Sequence, residues 1–412
     1  MVSPPDAPAP SEWAFSYRNY RFFWFAISLA SFAAQIMSVS VALEVYLLTR
    51  DPFYLGLVGL SLFLPALLLV LVTGLAADRF KRRHILAIGG VVEAGCAIAL
   101  VLFTGFGAHE IWVVFVILVV LGTARAFMSP AASSLAPNVV PPQALASAIS
   151  LNAAAWQLAN IIGPVIGGVL AAISLQLAFG VAAAFSLGAV TSILMVTAPP
   201  QHEPTATSLS SLLAGFRYIW HEKVVLGAIS LDLFAVLLGG ATALLPVFAL
   251  DVLHVGEAGL GFLRAGPGLG AIPVAIYLSR NPIKDHAGRI LFIFVALFGL
   301  FTAIFGLSTS IWLSFPMLML MGACDMVSVS IRETIMQLWT PDEVRGRVNA
   351  VNSVFIGASN ELGEFRAGSM AARIGAVAAV AIGGVATIGV SLVWSIAFPG
   401  LRRARRLDRR EV

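Results

Sequence analysis

The stretch Gly74-Leu-Ala-Ala-Asp78-Arg79-Phe-Lys81-Arg82-Arg83 places a cluster of cations between two long apolar runs. Such a cluster cannot lie in hydrocarbon, whereas each flanking run is long enough to cross a bilayer as a helix. The stretch therefore predicts a loop at a membrane surface, and it fixes the side on which that loop lies.

The composition of the whole chain agrees with a membrane protein. Its 412 residues are 59% hydrophobic and 11% charged, with a mean hydropathy of +0.93. Soluble domains carry about 25% charged residues, so lipid is the expected solvent. The apolar runs do not alternate with polar residues, which excludes a transmembrane barrel. The sequence predicts an all-α polytopic membrane protein, and its polar, proline-rich start predicts no cleavable signal peptide.

Twelve apolar runs are each long enough to cross about 30 Å of hydrocarbon as a helix. They lie at about 22–49, 54–77, 84–106, 111–132, 146–171, 175–198, 224–250, 256–279, 289–308, 311–335, 348–371 and 374–398.

The distribution of cations predicts the orientation of these spans. If the N-terminus is inside the cell, every second loop is also inside, and these loops hold most of the 25 lysines and arginines. Only Arg50 and Arg373 then fall in outside loops. Because cations favour cytoplasmic loops, both termini are expected in the cytoplasm. The same placement explains the net charge of +4 without nucleic acid, which is not expected as a partner.

The two halves of the chain resemble each other at a shift of 200 residues. Six identities carry the match, namely Gly122, Pro141, Asn152, Asn160, Gly163 and Gly168 with Gly322, Pro341, Asn352, Asn360, Gly363 and Gly368. A duplicated six-helix unit accounts for them. The expected domains are an N-terminal bundle at 1–198, a cytoplasmic linker at 199–223, a C-terminal bundle at 224–400 and a basic cytoplasmic tail at 401–412.

With these motifs in place, the chain resembles the major facilitator superfamily of transporters. The opening stretch is similar to that family's loop between helices two and three, in which Gly74, Asp78, Arg79, Arg82 and Arg83 match and Lys81 replaces a glycine. The resemblance implies two pseudo-symmetric six-helix bundles, with the matched loop as a cytoplasmic gate against the eleventh helix.

A second motif lies in the fifth helix, where Gly163, Pro164, Gly167 and Gly168 match Gly-Pro-x-x-Gly-Gly. In the family it resembles, this motif marks proton-coupled exporters and implies a seal on the outward side. A kink without further function is the alternative. The stretches beginning at Pro341 and Ser359 look like the branch that contains enterobactin exporters and macrolide efflux proteins.

Ionisable residues inside spans are candidates for function because they are costly in hydrocarbon. Arg125 and its repeat counterpart Asp325 are expected to sense substrate or proton if both face a central cavity. A fixed ion pair between them, or separate local partners, are the alternatives. Glu361 and Glu364 share one helix face, so either is a candidate proton carrier or a structural contact of Arg366.

Two further spans each carry a single candidate. Asp232 is another candidate carboxylate for coupling, or a partner of a neighbouring helix. Gln35 suits either a substrate hydrogen bond or a contact between helices. Glu93, on a helix that is usually peripheral in this fold, is assigned a gate or surface role.

The resulting functional prediction is a proton-coupled secondary exporter of an amphiphilic small molecule, such as a drug or siderophore. It would be a monomer in the bacterial cytoplasmic membrane that works by alternating access. No nucleotide-binding loop or metal site occurs, so the proton is the only coupling agent expected and no cofactor is implied. The alternatives are an importer or facilitator of a small metabolite, and a non-transporting receptor or scaffold. No catalytic motif points to an enzyme.

Overall fold

The computed structural model describes residues 12–197, 216–283 and 285–404. Every regular element in these ranges is helical. Twelve long helices follow in order, which we label α1 (Arg18–Thr49), α2 (Pro52–Arg79), α3 (Arg82–Gly105), α4 (Ile111–Leu135), α5 (Leu145–Ile173), α6 (Leu175–Leu194), α7 (Lys223–Gly239), α8 (Gly256–Arg280), α9 (Ala287–Leu307), α10 (Ile311–Trp339), α11 (Asp342–Ile374) and α12 (Ala376–Ala397).

The helices match the twelve predicted runs, with two differences. The seventh run is not one helix, because α7 ends at Gly239 and the chain continues through short helical turns and a π-helix at Phe248–Val252. The eleventh helix begins at Asp342, six residues earlier than predicted, because polar residues add a surface turn to it. Within the described residues, eleven helices are long and apolar enough to span a membrane, and α11 falls short because it is rich in charge.

Short connections make neighbouring helices antiparallel. Asp51 accepts a hydrogen bond from the backbone nitrogen of Phe53 (2.9 Å) and Pro52 opens α2, so the chain reverses at once after α1. Gly375 separates α11 from α12 with φ of 86°, a conformation that favours glycine. As a result the odd-numbered helices all begin on one face, here called the terminal face, and end on the opposite distal face.

The helices form two groups, α1–α6 and α7–α12. Within the first group α2 packs on α4 and α3 packs on α6, and the second group repeats these pairs as α8 with α10 and α9 with α12. Helix α1 also packs on α5 and α6, and α3 on α4. Two close pairs join the groups, α2 with α11 and α5 with α8. These pairs are related by the repeat, since α2 corresponds to α8 and α5 to α11.

The glycines that carry the internal repeat lie at equivalent helix crossings. Each packs on backbone or a Cβ of another helix so closely that an added Cβ would collide, and the contacts are Gly122 with Leu62, Gly322 with Pro267, Gly168 with Gly261, and Gly368 with Gly56. Shared helix geometry, not only hydrophobicity, therefore explains these identities.

The predicted domain boundaries remain predictions. Most of the linker at 199–223 lies outside the described residues, as does most of the basic tail. The described end of the linker, from Phe216, is helical, and Ile219 is buried against α7, α10 and α11.

The halves are in close contact toward the distal face and enclose a cavity toward the terminal face. An added Cβ at Gly168 would stand 2.8 Å from Gly261 on α8, and one at Gly368 would stand 2.8 Å from Gly56 on α2. A cavity of about 530 Å³ lies on the terminal side of these contacts. It is lined by α2, α4 and α11 and extends from Leu62 at mid-helix to Gly74 near the terminal face.

Candidate functional site

A first buried ion pair lies inside the N-terminal group. Arg125 on α4 donates from Nε and Nη2 to Oε1 of Glu93 on α3, at 3.0 and 2.6 Å. Glu93 is buried, whereas the Arg125 side chain is 31% exposed toward the cavity. The structure corrects the gate or surface role predicted for Glu93. Helix α3 directs this carboxylate into the bundle, where α4 supplies the cation.

A second buried ion pair lies inside the C-terminal group. Arg332 on α10 binds Asp232 on α7 at 2.5 Å, with both side chains about nine-tenths buried. Asp325, two turns from Arg332, interacts electrostatically with this pair and is exposed. Arg125 and Asp325 therefore have separate neighbours in their own halves, which was the alternative to a facing pair.

A third cluster joins the two halves. The carboxylates of Glu361 and Glu364 on α11 both lie against Gly59 of α2, where any Cβ would collide with them. Arg264 on α8 interacts electrostatically with both carboxylates, and its Nη2 donates to the Ser38 hydroxyl on α1 (2.7 Å). Helices α1, α2, α8 and α11 thus meet at one cation and two carboxylates.

This junction cluster lies where the cavity ends and the close distal contact begins. The cavity lining stops at Leu62 on α2 and at Val354 on α11, and Gly59 and Glu361 follow within about two turns. The Oε2 atom of Glu361 is buried and has no hydrogen-bond partner among the described residues. With two carboxylates and one arginine, the cluster carries one more negative than positive charge when all groups are ionised.

A structural contact with Arg366 was one alternative for these carboxylates, and the structure places Arg366 elsewhere. Its Nη1 lies 3.6 Å from the Met370 sulfur, and its guanidinium lies beside Gly383 of α12. Because Arg366 is two residues from Glu364, it projects from a different side of α11. The cation comes instead from α8, a helix of the same group that the sequence does not connect to α11.

Polar contacts also close the distal end. Asp251, in the π-helix after α7, accepts from the Tyr46 hydroxyl and lies 3.5 Å from Nη1 of Arg50. Both partners belong to α1 and its C-cap, so this distal latch connects the two halves.

The fifth-helix motif lies in the same region. Gly167 packs on Ile36 of α1, and Gly168 packs on α8. Gly163 packs on Gln35, whose side-chain amide donates to Asn160 on α5. The motif therefore holds α5 against α1 within one half and against α8 across the halves.

The cations of the charged loop differ in their contacts. Arg82 donates to the Ser134 carbonyl and Arg83 to the Val196 carbonyl, both at 2.9 Å, so these two cations bind the ends of helices in their own half. Arg79 is exposed, and an added Cβ at Gly74 would meet open space. The side chain of Asp78 lies outside the description, so the gate across to α11 stays a prediction.

The arrangement has the parts that an alternating-access carrier requires. Arg125 lines the cavity between the two pseudo-symmetric halves. The charges of the junction cluster, which lie nearest the closed end, come from α8 and α11 of one half and contact α1 and α2 of the other. Within the described residues no group of acidic, histidine or cysteine side chains is arranged to hold a metal ion.

Comparisons with known proteins also indicate a membrane transporter. Residues 10–407 match the model of a family described as transmembrane secretion effector. The enterobactin exporters of Citrobacter koseri and Shigella boydii are 25% and 26% identical over 400 residues, which cover 92% of this chain and 93% of theirs. A bacterial homolog of the lysosomal transporter Spinster, solved in an inward-facing and unoccupied conformation, superposes with a TM-score of 0.68 at 16% identity, over 93% of this chain and 95% of its own.

Proposed function

The chain belongs to the transmembrane secretion effectors of the major facilitator superfamily, and from that premise we propose that it exports an amphiphilic small molecule in exchange for protons. It is a multi-pass membrane transporter and not an enzyme. Export, proton coupling and a siderophore or macrolide as solute are the proposed steps beyond this.

The observation that carries the proposal is the junction cluster. Two carboxylates and one arginine lie where α2, α11, α1 and α8 meet at the end of the cavity. Ionised, the cluster has a net charge of −1, and one bound proton neutralises it. Because the buried oxygen of Glu361 has no partner, the closed distal contact is compatible with a neutral cluster, and its opening with a charged and hydrated one.

In this proposal, the protonation of the junction cluster is coupled to the side of the membrane on which the cavity is open. In the present conformation the cavity reaches the terminal face, which we assign to the cytoplasm from the positive loops. As solute enters there, the cluster releases its proton toward the terminal face and becomes charged. Parting of the distal contact then exposes solute and the charged cluster to the outside, where solute leaves and a proton taken up from outside neutralises the cluster and restores the closed contact.

The orientation is tested by labelling. In a chain whose two native cysteines are replaced, a membrane-impermeant maleimide should label Gly107→Cys between α3 and α4 in intact cells, and label Lys81→Cys only after lysis. The reverse pattern contradicts the assignment of the terminal face.

Coupling is tested with the purified protein in proteoliposomes. Enterobactin, the solute named for the relatives, and the macrolide erythromycin are the probes. We expect a proton gradient to drive movement of one probe against the direction of proton flow, and nigericin to abolish it. Movement that is independent of the gradient contradicts antiport, and movement in the same direction as the proton favours an importer.

A further inference from the structure

A second cavity lies inside the N-terminal group, apart from the one between the halves. It measures about 290 Å³ and is lined by α1, α3, α4 and α6. Small residues of α1 create the space, since Ala26, Ala30 and Ala34 recur at every fourth position along its wall. We call it the side chamber.

Most of the chamber wall is apolar, which suits an apolar occupant. Leu86, Met128, Val190 and Ile193 contribute side chains from the other three helices. An apolar cavity of about 150 Å³ is known to hold a benzene ring, so this chamber has room for one substituted ring.

Three polar groups in the chamber have unused hydrogen-bonding capacity. Glu93 receives both bonds from Arg125 on Oε1, so Oε2 accepts none from the described residues. Nη1 of Arg125 likewise donates none to them. Ser186 is 1% exposed, and its buried hydroxyl has no partner among them. A buried hydroxyl without a partner is costly, so a ligand group that bonds Ser186 in the chamber would offset that cost.

The charges in the chamber select a neutral occupant. Glu93 and Arg125 neutralise each other, so a charged group entering the chamber would lose its hydration without a counter-ion. A neutral ring with a hydroxyl is different, since it donates to Glu93 Oε2 and accepts from Arg125 or Ser186 while its carbon atoms contact the alanines.

The chamber is next to the main cavity. Arg125 and Ser129 line both spaces, so they form the wall between them. A solute held between the halves therefore reaches the chamber by passing one ring beside Arg125.

We propose that the side chamber is a binding subsite for one neutral hydroxylated aromatic ring of the transported solute, held by Glu93, Arg125 and Ser186. The subsite rests on the proposed export function, and it names the class of group that the solute presents to the N-terminal half.

The test is equilibrium binding of 4-fluorophenol and fluorobenzene to the purified protein in nanodiscs, followed by 19F NMR. Empty nanodiscs correct for partition into lipid. We expect saturable binding of 4-fluorophenol, about five- to tenfold tighter than that of fluorobenzene, because only the phenol satisfies the polar groups.

Two variants locate the site. Ala30→Leu fills the chamber and should abolish saturable binding of both probes. Ser186→Ala should reduce the preference for 4-fluorophenol over fluorobenzene, since it removes one of the partners of the hydroxyl. Ser395→Ala on α12, whose hydroxyl bonds its own helix, is the matched control and should leave both affinities unchanged.

The outcomes separate this inference from the proposed function. Equal affinities in the native chain, binding that Ala30→Leu leaves intact, or partition without saturation each overturn the subsite. Unchanged gradient-driven transport in Ala30→Leu also overturns it and leaves the export function standing. Ring binding without gradient-driven transport has the opposite meaning, because it supports the subsite and contradicts the function.

Discussion

Glu361 and Glu364 share Arg264 at the junction of the halves, so replacing one carboxylate by its amide imitates the protonated cluster. We expect Glu361→Gln to lower proton-driven transport by about tenfold or more, with exchange of bound solute retained within about twofold, because exchange needs no change in protonation. Proteoliposomes with and without a proton gradient give both rates.

Glu333→Gln is the matched control for this variant. It makes the same change at an exposed site on α10, and both rates should stay at the native level. If Glu361→Gln and Glu364→Gln each retain proton-driven transport, a proton-carrying role for the cluster is contradicted.

Asp232 has a different role to test, because its partner is a buried arginine in the same half. We expect Asp232→Asn to destabilise the protein by about 3–5 kcal/mol, since it leaves the Arg332 cation buried and unpaired. Thermal unfolding in detergent, compared for Asp232→Asn, Arg332→Gln and the double variant, measures the pair.

The double variant decides whether the two side chains act together. Its loss of stability should be clearly smaller than the sum of the two single losses, because neither charge is then left alone. Additive losses contradict the pairing.

At the scale of helices, the α5–α8 crossing is the contact that closes the distal end. An added Cβ at Gly168 would stand 2.8 Å from the Gly261 backbone, so Gly168→Ala should force the two helices apart and favour a conformation open at the distal face. Electron paramagnetic resonance between spin labels on the distal ends of α5 and α8 should show a longer mean distance.

Gly180→Ala on α6 is the control, since an added Cβ there has no neighbour within 4 Å. Its distance distribution should match that of the native chain. An unchanged distribution in Gly168→Ala would show that this crossing does not set the conformation.

The helices and their repeat were predictable from the sequence, whereas the charge partners were not. Length and hydrophobicity determine a membrane span, so the twelve runs appear almost unchanged as helices. Glu93 and Arg125 lie on neighbouring helices, and their meeting depends on how α3 and α4 are rotated, which a run that is apolar all round does not reveal. Arg264 was visible as a cation within a span, but its position near Glu361 depends on how the two halves are packed.

At the scale of the whole molecule, the proposed export by alternating access requires a second state in equilibrium with the present one. The terminal-side cavity and the distal contacts define the present state, and the repeat predicts a second state in which the α2–α11 and α5–α8 contacts part at their distal ends. The balance between the two depends on contacts that exist in only one of them.

The distal latch is such a contact, because Tyr46 and Arg50 bind Asp251 across the halves. The ion pair is largely exposed, so it contributes about 0.2–1 kcal/mol and not more. We therefore expect Asp251→Asn to shift the equilibrium toward the distally open state by up to about fivefold, without locking it there. Spin-label distances between the distal ends of α1 and α8 measure the populations. Asp285→Asn, in a pair with the adjacent His286 on the terminal face, removes an exposed carboxylate without touching the latch and should leave them unchanged. A shift equal in both variants would show that the latch does not hold the distal end closed, and the glycine crossings would then be the main determinant of the present state.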